Sequence, residues 1–123
     1  MRIAGIRGAV QVESNSEKLI HASTIELVNQ IIDENKIKIH NIACIIFTMT
    51  KDLNADFPAY AVRQMKNEFE NVPLICGQEI DVPKSMKRVI RILMLINSNL
   101  KQSKIKHQYL GATKVLRKDI TKK

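Results

Sequence analysis

Gln78-Glu-Ile-Asp-Val-Pro-Lys-Ser-Met-Lys-Arg-Val-Ile-Arg-Ile-Leu-Met-Leu-Ile96 ends in a long apolar run. From Val89 to Ile96 every residue but one is aliphatic, with Pro83 before the run and Asn97 after it. Such a run reads as a strand buried on both faces. The exception is Arg91. A guanidinium inside a buried strand costs several kcal/mol of desolvation unless an anion and a set of acceptors meet it there. Three readings fit. Glu79, from the start of the same stretch, forms a permanent ion pair; Glu79 and Arg91 line a dry pocket whose missing charge arrives with a ligand; or Arg91 snorkels from a sheet edge with its head in water.

Working outward, Val72-Pro-Leu-Ile-Cys-Gly77 is a short apolar strand leading into this stretch, and Ile42 to Thr50 is another, with Cys44, Ile46 and Thr48 on one face. Residues 2–12 form a first strand interrupted by Gly5 and Gly8, where backbone or ligand approaches closely. A regular strand points Arg7 away from Ile6 and Val10; an exposed arginine fits as well as a pocket one. Gly5-Ile-Arg-Gly8 lacks the Lys-Ser/Thr of a phosphate loop. Between the first two strands, Ser14-Asn-Ser-Glu17 offers a capping box, and Leu19, Ile20, Ser23, Leu27, Val28, Ile31 and Ile32 recur at helical spacing. That predicts an amphipathic scaffold helix of about five turns. Asp56-Phe-Pro-Ala starts a second, shorter helix, with Asp56 as its cap and Ala59 and Arg63 one turn apart. After Ile96 come a polar bend over 97–106, a short strand at His107-Gln-Tyr-Leu110 and an apolar clip from Ala112 to Leu116. Arg117 and the lysines beyond it trail into solvent. Tyr109 is either a core residue with a bonded hydroxyl or a ligand contact.

The 123 residues suit one domain, over 1–117, with a flexible basic tail at 118–123. No apolar run approaches the roughly 20 residues of a membrane span, and the N-terminus carries no export signal, so the expected location is the cytoplasm. Cys44 and Cys76 each sit in an apolar run and read as packed thiols, and neither they nor His21, His40 and His107 show metal-ligand spacing. No metal is expected. The net charge of +8 draws small anions or nucleic acid, but aromatics make up only 4%, with no tryptophan, which supplies base-stacking platforms poorly. No serine, cysteine or histidine arrangement of the triad type is present.

Five blocks in order carry a resemblance: Ile6-Arg-Gly-Ala9; Asp52-Leu53 with Phe57-Pro-Ala59, Ala61-Val-Arg63; Cys76, Gln78-Glu79, Asp81-Val82; Arg88-Val-Ile-Arg91; and His107, Tyr109-Leu110 with Leu116-Arg117. Together they resemble the monofunctional trimeric chorismate mutases, the AroH class, across essentially the whole chain. The resemblance implies an α+β fold in which a mixed sheet packs against one long and one short helix, and three chains form a pseudo-α/β-barrel trimer with sites in the clefts between neighbours. It implies the pericyclic rearrangement of chorismate to prephenate in phenylalanine and tyrosine biosynthesis, with no cofactor, metal or covalent intermediate. It also implies the site: Arg91, Glu79 and Arg7 as the catalytic set, Tyr109 on a substrate carboxylate, and Cys76 with Ile75, Gly77 and Gln78 along one wall. Phe57, Ala59 and Arg63 would come from the adjacent subunit, and Leu116 and Arg117 from a mobile tail closing the mouth. The chain departs from the family at Tyr60, where lysine is frequent, at Ile75, where a hydroxyl residue is common, at Pro83-Lys-Ser, which replaces a glycine-rich turn, and at Lys118, where proline is usual. Two rival readings are a non-catalytic small-acid-binding or regulatory trimer and a basic nucleic-acid-binding module, the latter suggested by charge alone.

Overall fold

A computed structural model describes residues 2–121. Five strands, β1 (Arg2–Gln11), β2 (Ile42–Met49), β3 (Leu74–Gln78), β4 (Val89–Ser98) and β5 (Gln108–Tyr109), form one mixed sheet in the order β3-β2-β4-β1-β5. The apolar run is the central strand. β4 pairs antiparallel with both β1 and β2, while the edge strands β3 and β5 run parallel to β2 and β1. Helices α1 (Glu17–Asn35) and α2 (Pro58–Arg63) cover one face, and a short α3 (Lys118–Thr121) follows a 3-10 segment, Gly111–Arg117.

Alternation decides what lies beneath the helices. Ile6 and Val10 of β1, Ile45 and Phe47 of β2, and Ile90, Ile92, Met94 and Ile96 of β4 form one core with Ile20, Leu27, Val28 and Ile31 of α1 and Ala59 and Val62 of α2. The opposite face of the sheet is uncovered over much of its area. Ile3, Leu93 and Ile75 on it are exposed, and only at one end do Ala9, Val89 and Tyr109 bury one another with Met86 and Leu116 against them. The expectation of a strand buried on both faces is therefore corrected: within one chain, β4 is buried along one face, and its continuous apolar run supplies a second, open apolar face.

Several local expectations shift by a residue or two. The N-cap of α1 is Ser16, whose hydroxyl accepts from Leu19 N at 3.1 Å, rather than Ser14. Ser16 itself is extended, with φ −132° and ψ 147°, and Glu17 is the first helical residue. α2 begins from Phe57 without a side-chain cap, because Asp56 spends one oxygen on the adjacent Phe57 N–H at 2.7 Å instead of reaching into the first turn. Arg117 does not trail into solvent. It is half-buried, with Nε and a terminal nitrogen donating to Asp119 at 3.0 and 2.7 Å. Residues 118–121 of the expected tail are helical, and Lys122 and Lys123 lie outside the described residues.

Candidate active site

The strand register gathers the charged residues. Arg91 of β4 lies opposite Ala9 of β1 and Thr48 of β2, and Arg7 lies opposite Leu93, so both arginines share the open face. Ile75 and Gly77 pair with Ile46 and Thr48 and belong to that face too. Glu79 follows directly after β3 and is held by its backbone N–H donating to Met49 O at 2.8 Å. Its carboxylate reaches the centre of the sheet: Oε2 lies 3.0 Å from Arg91 Nε in an ion pair and accepts from the Thr48 hydroxyl at 2.8 Å. Glu79 is well covered, with 16% of its side chain exposed, whereas Arg91 keeps 40%. Arg91 is thus paired but not sunk in the core, as its place on the open face dictates.

Beside this pair is a cavity of about 380 Å³ lined by Arg7, Gly8, Ile46, Thr48, Arg91, Ile92, Leu93, Tyr109 and Arg117. Three arginines and a tyrosine thus line it together with aliphatic Ile46, Ile92 and Leu93. Tyr109 is 7% exposed in a packed cluster and also borders the cavity. β5 is drawn close by Gly8, where an added Cβ would stand 2.9 Å from Gln108 O and 3.0 Å from side-chain carbons of Ile31 and Ile92. Arg7 is fixed from behind, its backbone N–H donating to His107 Nδ1 at 2.9 Å. Burial, reinforced by the positive charges of Arg7 and Arg117, pushes the His107 pKa below its ordinary value, which keeps that nitrogen an acceptor. A larger depression of about 670 Å³ shares Tyr109, but its walls are mainly the segment 102–108 with Lys114 and Asp119. Recognition of a particular anion requires charges held in place, and these are found in the smaller cavity.

Other residues singled out from sequence lie elsewhere. Cys76 pairs with the buried Phe47, so its side chain belongs to the helix-covered face; burial raises its thiol pKa, with an Ala59 backbone hydrogen bond and the Arg63 charge working against the rise. Of the two ways in which Cys76 was expected to meet the Glu79 wall, through its backbone or its thiol, alternation leaves the backbone, because it turns the side chain away from Ile75 and Gly77. Gln78, opposite Met49, is exposed. Phe57 is 61% exposed, Arg63 is exposed and Ala59 is buried; none of the three lines the cavity. Leu116 packs on the Tyr109 cluster. Two contributors escaped the sequence reading, Thr48 and His107. Thr48 had a signal, its parity with Ile46, and His107 stood in the same block as Tyr109, but nothing local marks it as the partner of a residue 100 positions away. Glu17, His21 and Asp56 also bring a ring nitrogen and two carboxylates within 4.8 Å, with His21 donating to Asp56 at 2.7 Å.

A family model described as chorismate mutase type I matches residues 3–120. Chorismate mutase AroH of Bacillus subtilis (strain 168) is 40% identical over 121 residues, covering 98% of this chain and 94% of that protein. Chorismate mutase AroH of Thermus thermophilus is 40% identical over 119 residues, 96% of each. A solved chorismate mutase from Clostridium thermocellum superposes with a TM-score of 0.86 at 41% identity, over 90% of this chain and 97% of that one.

Proposed function

The chain belongs to the type I chorismate mutase family and converts chorismate to prephenate, and we propose that the Arg7–Arg91 cavity on the open sheet face is where it does so. The observation that carries this assignment is the Arg91–Glu79 pair beside a cavity shared with Arg7, Tyr109 and Arg117. The rearrangement breaks a carbon–oxygen bond while forming a carbon–carbon bond within one molecule. No nucleophile or proton transfer is needed, so the protein's contribution is charge and restraint. As the ether bond lengthens, negative charge grows on its oxygen. A cation already in place there stabilises the transition state more than the substrate.

Arg91 is built for this. Its Nε is paired with Glu79 at 3.0 Å, and its terminal nitrogens donate to the ether oxygen and a carboxylate. Glu79 Oε2 is occupied by Arg91 and Thr48, so its other oxygen accepts from the ring hydroxyl. Arg7 and Tyr109 hold a substrate carboxylate, and Ile46 and Leu93 supply the apolar floor. Gripping both ends of the substrate keeps it in its compact reactive conformer.

The cleft is completed by a second copy of the chain in a homotrimer. Two features support this: an open sheet face with Ile3 at 67%, Ile75 at 63% and Leu93 at 38% exposure, and the placement of Phe57, Ala59 and Arg63 away from their own chain's cavity. Phe57 and Arg63 then form the far wall of a neighbour's site, near the backbone of Cys76, Gly77 and Gln78, with Ala59 buried behind them in its own core, while Leu116 and Arg117 close the mouth. The described residues contain no helix long and apolar enough to cross a membrane, and we assign the enzyme to the cytoplasm. The test is to follow chorismate consumption and prephenate formation by the purified chain, with its mass measured by sedimentation. Turnover by a particle three times the 14.0 kDa chain is expected. Prephenate binding without turnover would favour the non-catalytic reading, and turnover by a monomer would remove the inter-chain wall.

A further inference from the structure

The loop that leads into α2 is tied to the beginning of α1 at two points. Asn15 Oδ1 accepts the backbone N–H groups of Asn54 and Ala55 at 3.1 and 3.0 Å, and its amide donates to Asn54 Oδ1 at 2.7 Å. Further on, Asp56 accepts from Phe57 N through Oδ1 and from His21 Nε2 through Oδ2, both at 2.7 Å. The His21 ring also lies against Tyr60, with centroids 5.5 Å apart and planes tilted by 37°. Both members of the His21–Asp56 pair are largely covered, at 23% and 21% exposure. α2 has six residues and no side-chain cap, too short a helix to hold its own orientation. Its apolar side, Pro58, Ala59, Ala61 and Val62, is anchored in the core, which leaves its pitch to be set by what grips its first turn.

We propose that His21 is a positioning residue for substrate binding: through Asp56 and Tyr60 it sets the pitch of α2 and thereby the placement of Phe57 and Arg63 in the wall of the cleft. The proposal rests on the reading that Phe57 and Arg63 complete a neighbouring copy's site. Contacts at the rim act on substrate and transition state alike, so their misplacement is felt in KM rather than kcat.

The test is steady-state kinetics of His21→Ala, His21→Gln, Asp56→Ala, the double alanine variant and Arg63→Ala, with thermal unfolding followed in parallel. His21→Ala and Asp56→Ala should each raise KM by about threefold to tenfold with kcat within roughly twofold of the parent, the loss of one charged hydrogen bond at a partly covered site. The double variant should be no worse than the singles, because both remove one linkage. His21→Gln, whose amide nitrogen takes the place of Nε2, should recover part of the KM. Should His21→Ala not fold, Asp56→Ala and His21→Gln carry the same comparison. An unchanged KM in these variants beside a raised KM in Arg63→Ala would overturn the positioning role alone, as would a loss confined to kcat. An unchanged KM in Arg63→Ala would show that α2 does not meet the substrate, and the proposal would fall with the reading beneath it.

Discussion

Replacing Arg91 with Lys separates the electrostatic account from a merely structural one. In the folded chain Glu79 Oε2 lies 3.0 Å from Arg91 Nε, and Thr48 holds the same oxygen at 2.8 Å. An ammonium at position 91 has one charged centre, and the fixed carboxylate of Glu79 would draw it to the position Nε now fills. Nothing would then be left to meet the ether oxygen. Losing a preorganised donor to a developing oxyanion costs about 3 kcal/mol, hence roughly a hundredfold or more in kcat. Stability should hardly move, because Arg91 keeps 40% of its side-chain exposure and an ion pair so placed contributes at most about 1 kcal/mol. The assay is chorismate consumption under saturating substrate, with urea unfolding as the control. A folded Arg91→Lys enzyme turning over within about threefold of the parent would refute the reasoning, since such a difference is under 1 kcal/mol in the barrier.

Thr48→Val should lower kcat by about threefold to tenfold with little change in urea midpoint, since it removes a charged hydrogen bond that aims Glu79 without removing either charge. Gly8→Ala should cost about 1–3 kcal/mol in urea unfolding and raise KM, because the new methyl meets Gln108 O, a backbone atom, and must push β5 and Tyr109 outward. The His107 pKa lies below its ordinary value in the fold, so the unfolded chain binds more protons as pH falls below that value. Stability from this group is complete above the unfolded pKa of about 6.5 and is lost as pH falls toward the depressed folded one, a slope that His107→Asn should flatten in pH-dependent thermal unfolding.

The strands and the long helix were legible because each writes its period into the chain: alternation for β1 and β2, three- and four-residue recurrence for α1. β4 misled in an instructive way. A continuous apolar run records that both faces are apolar, not that both are covered by the same chain, and Leu93 at 38% exposure is the difference. The caps failed for a local reason. Ser14 and Ser16 are equally good side chains, and the choice depends on where the backbone leaves β1. The charged set of Arg7, Glu79, Arg91 and Tyr109 was legible as residues, but its geometry required register: Arg91 meets Thr48 only because β2 and β4 pair with an irregularity between Ile42 and Cys44. Cys76 shows the converse. Its place in a motif suggested a wall residue, and strand parity turns its thiol to the other face.

Electrostatic catalysis by a fixed cation depends on a cleft drier than bulk water, since the same charge in water is screened by solvent that must reorganise. In one chain the guanidinium of Arg91 is oriented but not dry. Its partner Glu79 is well covered, and the exposed remainder faces the side on which Leu93, Ile75 and Ile3 also stand uncovered. If, as proposed, a second copy lies against this face, the apolar residues that pointed to a buried arginine are the means of burying it. On the proposed reading, assembly and catalysis draw on one physical event. Apolar burial brings Phe57 and Arg63 to the rim, removes water from the face of β4 and strengthens the field that Arg91 directs at the breaking bond.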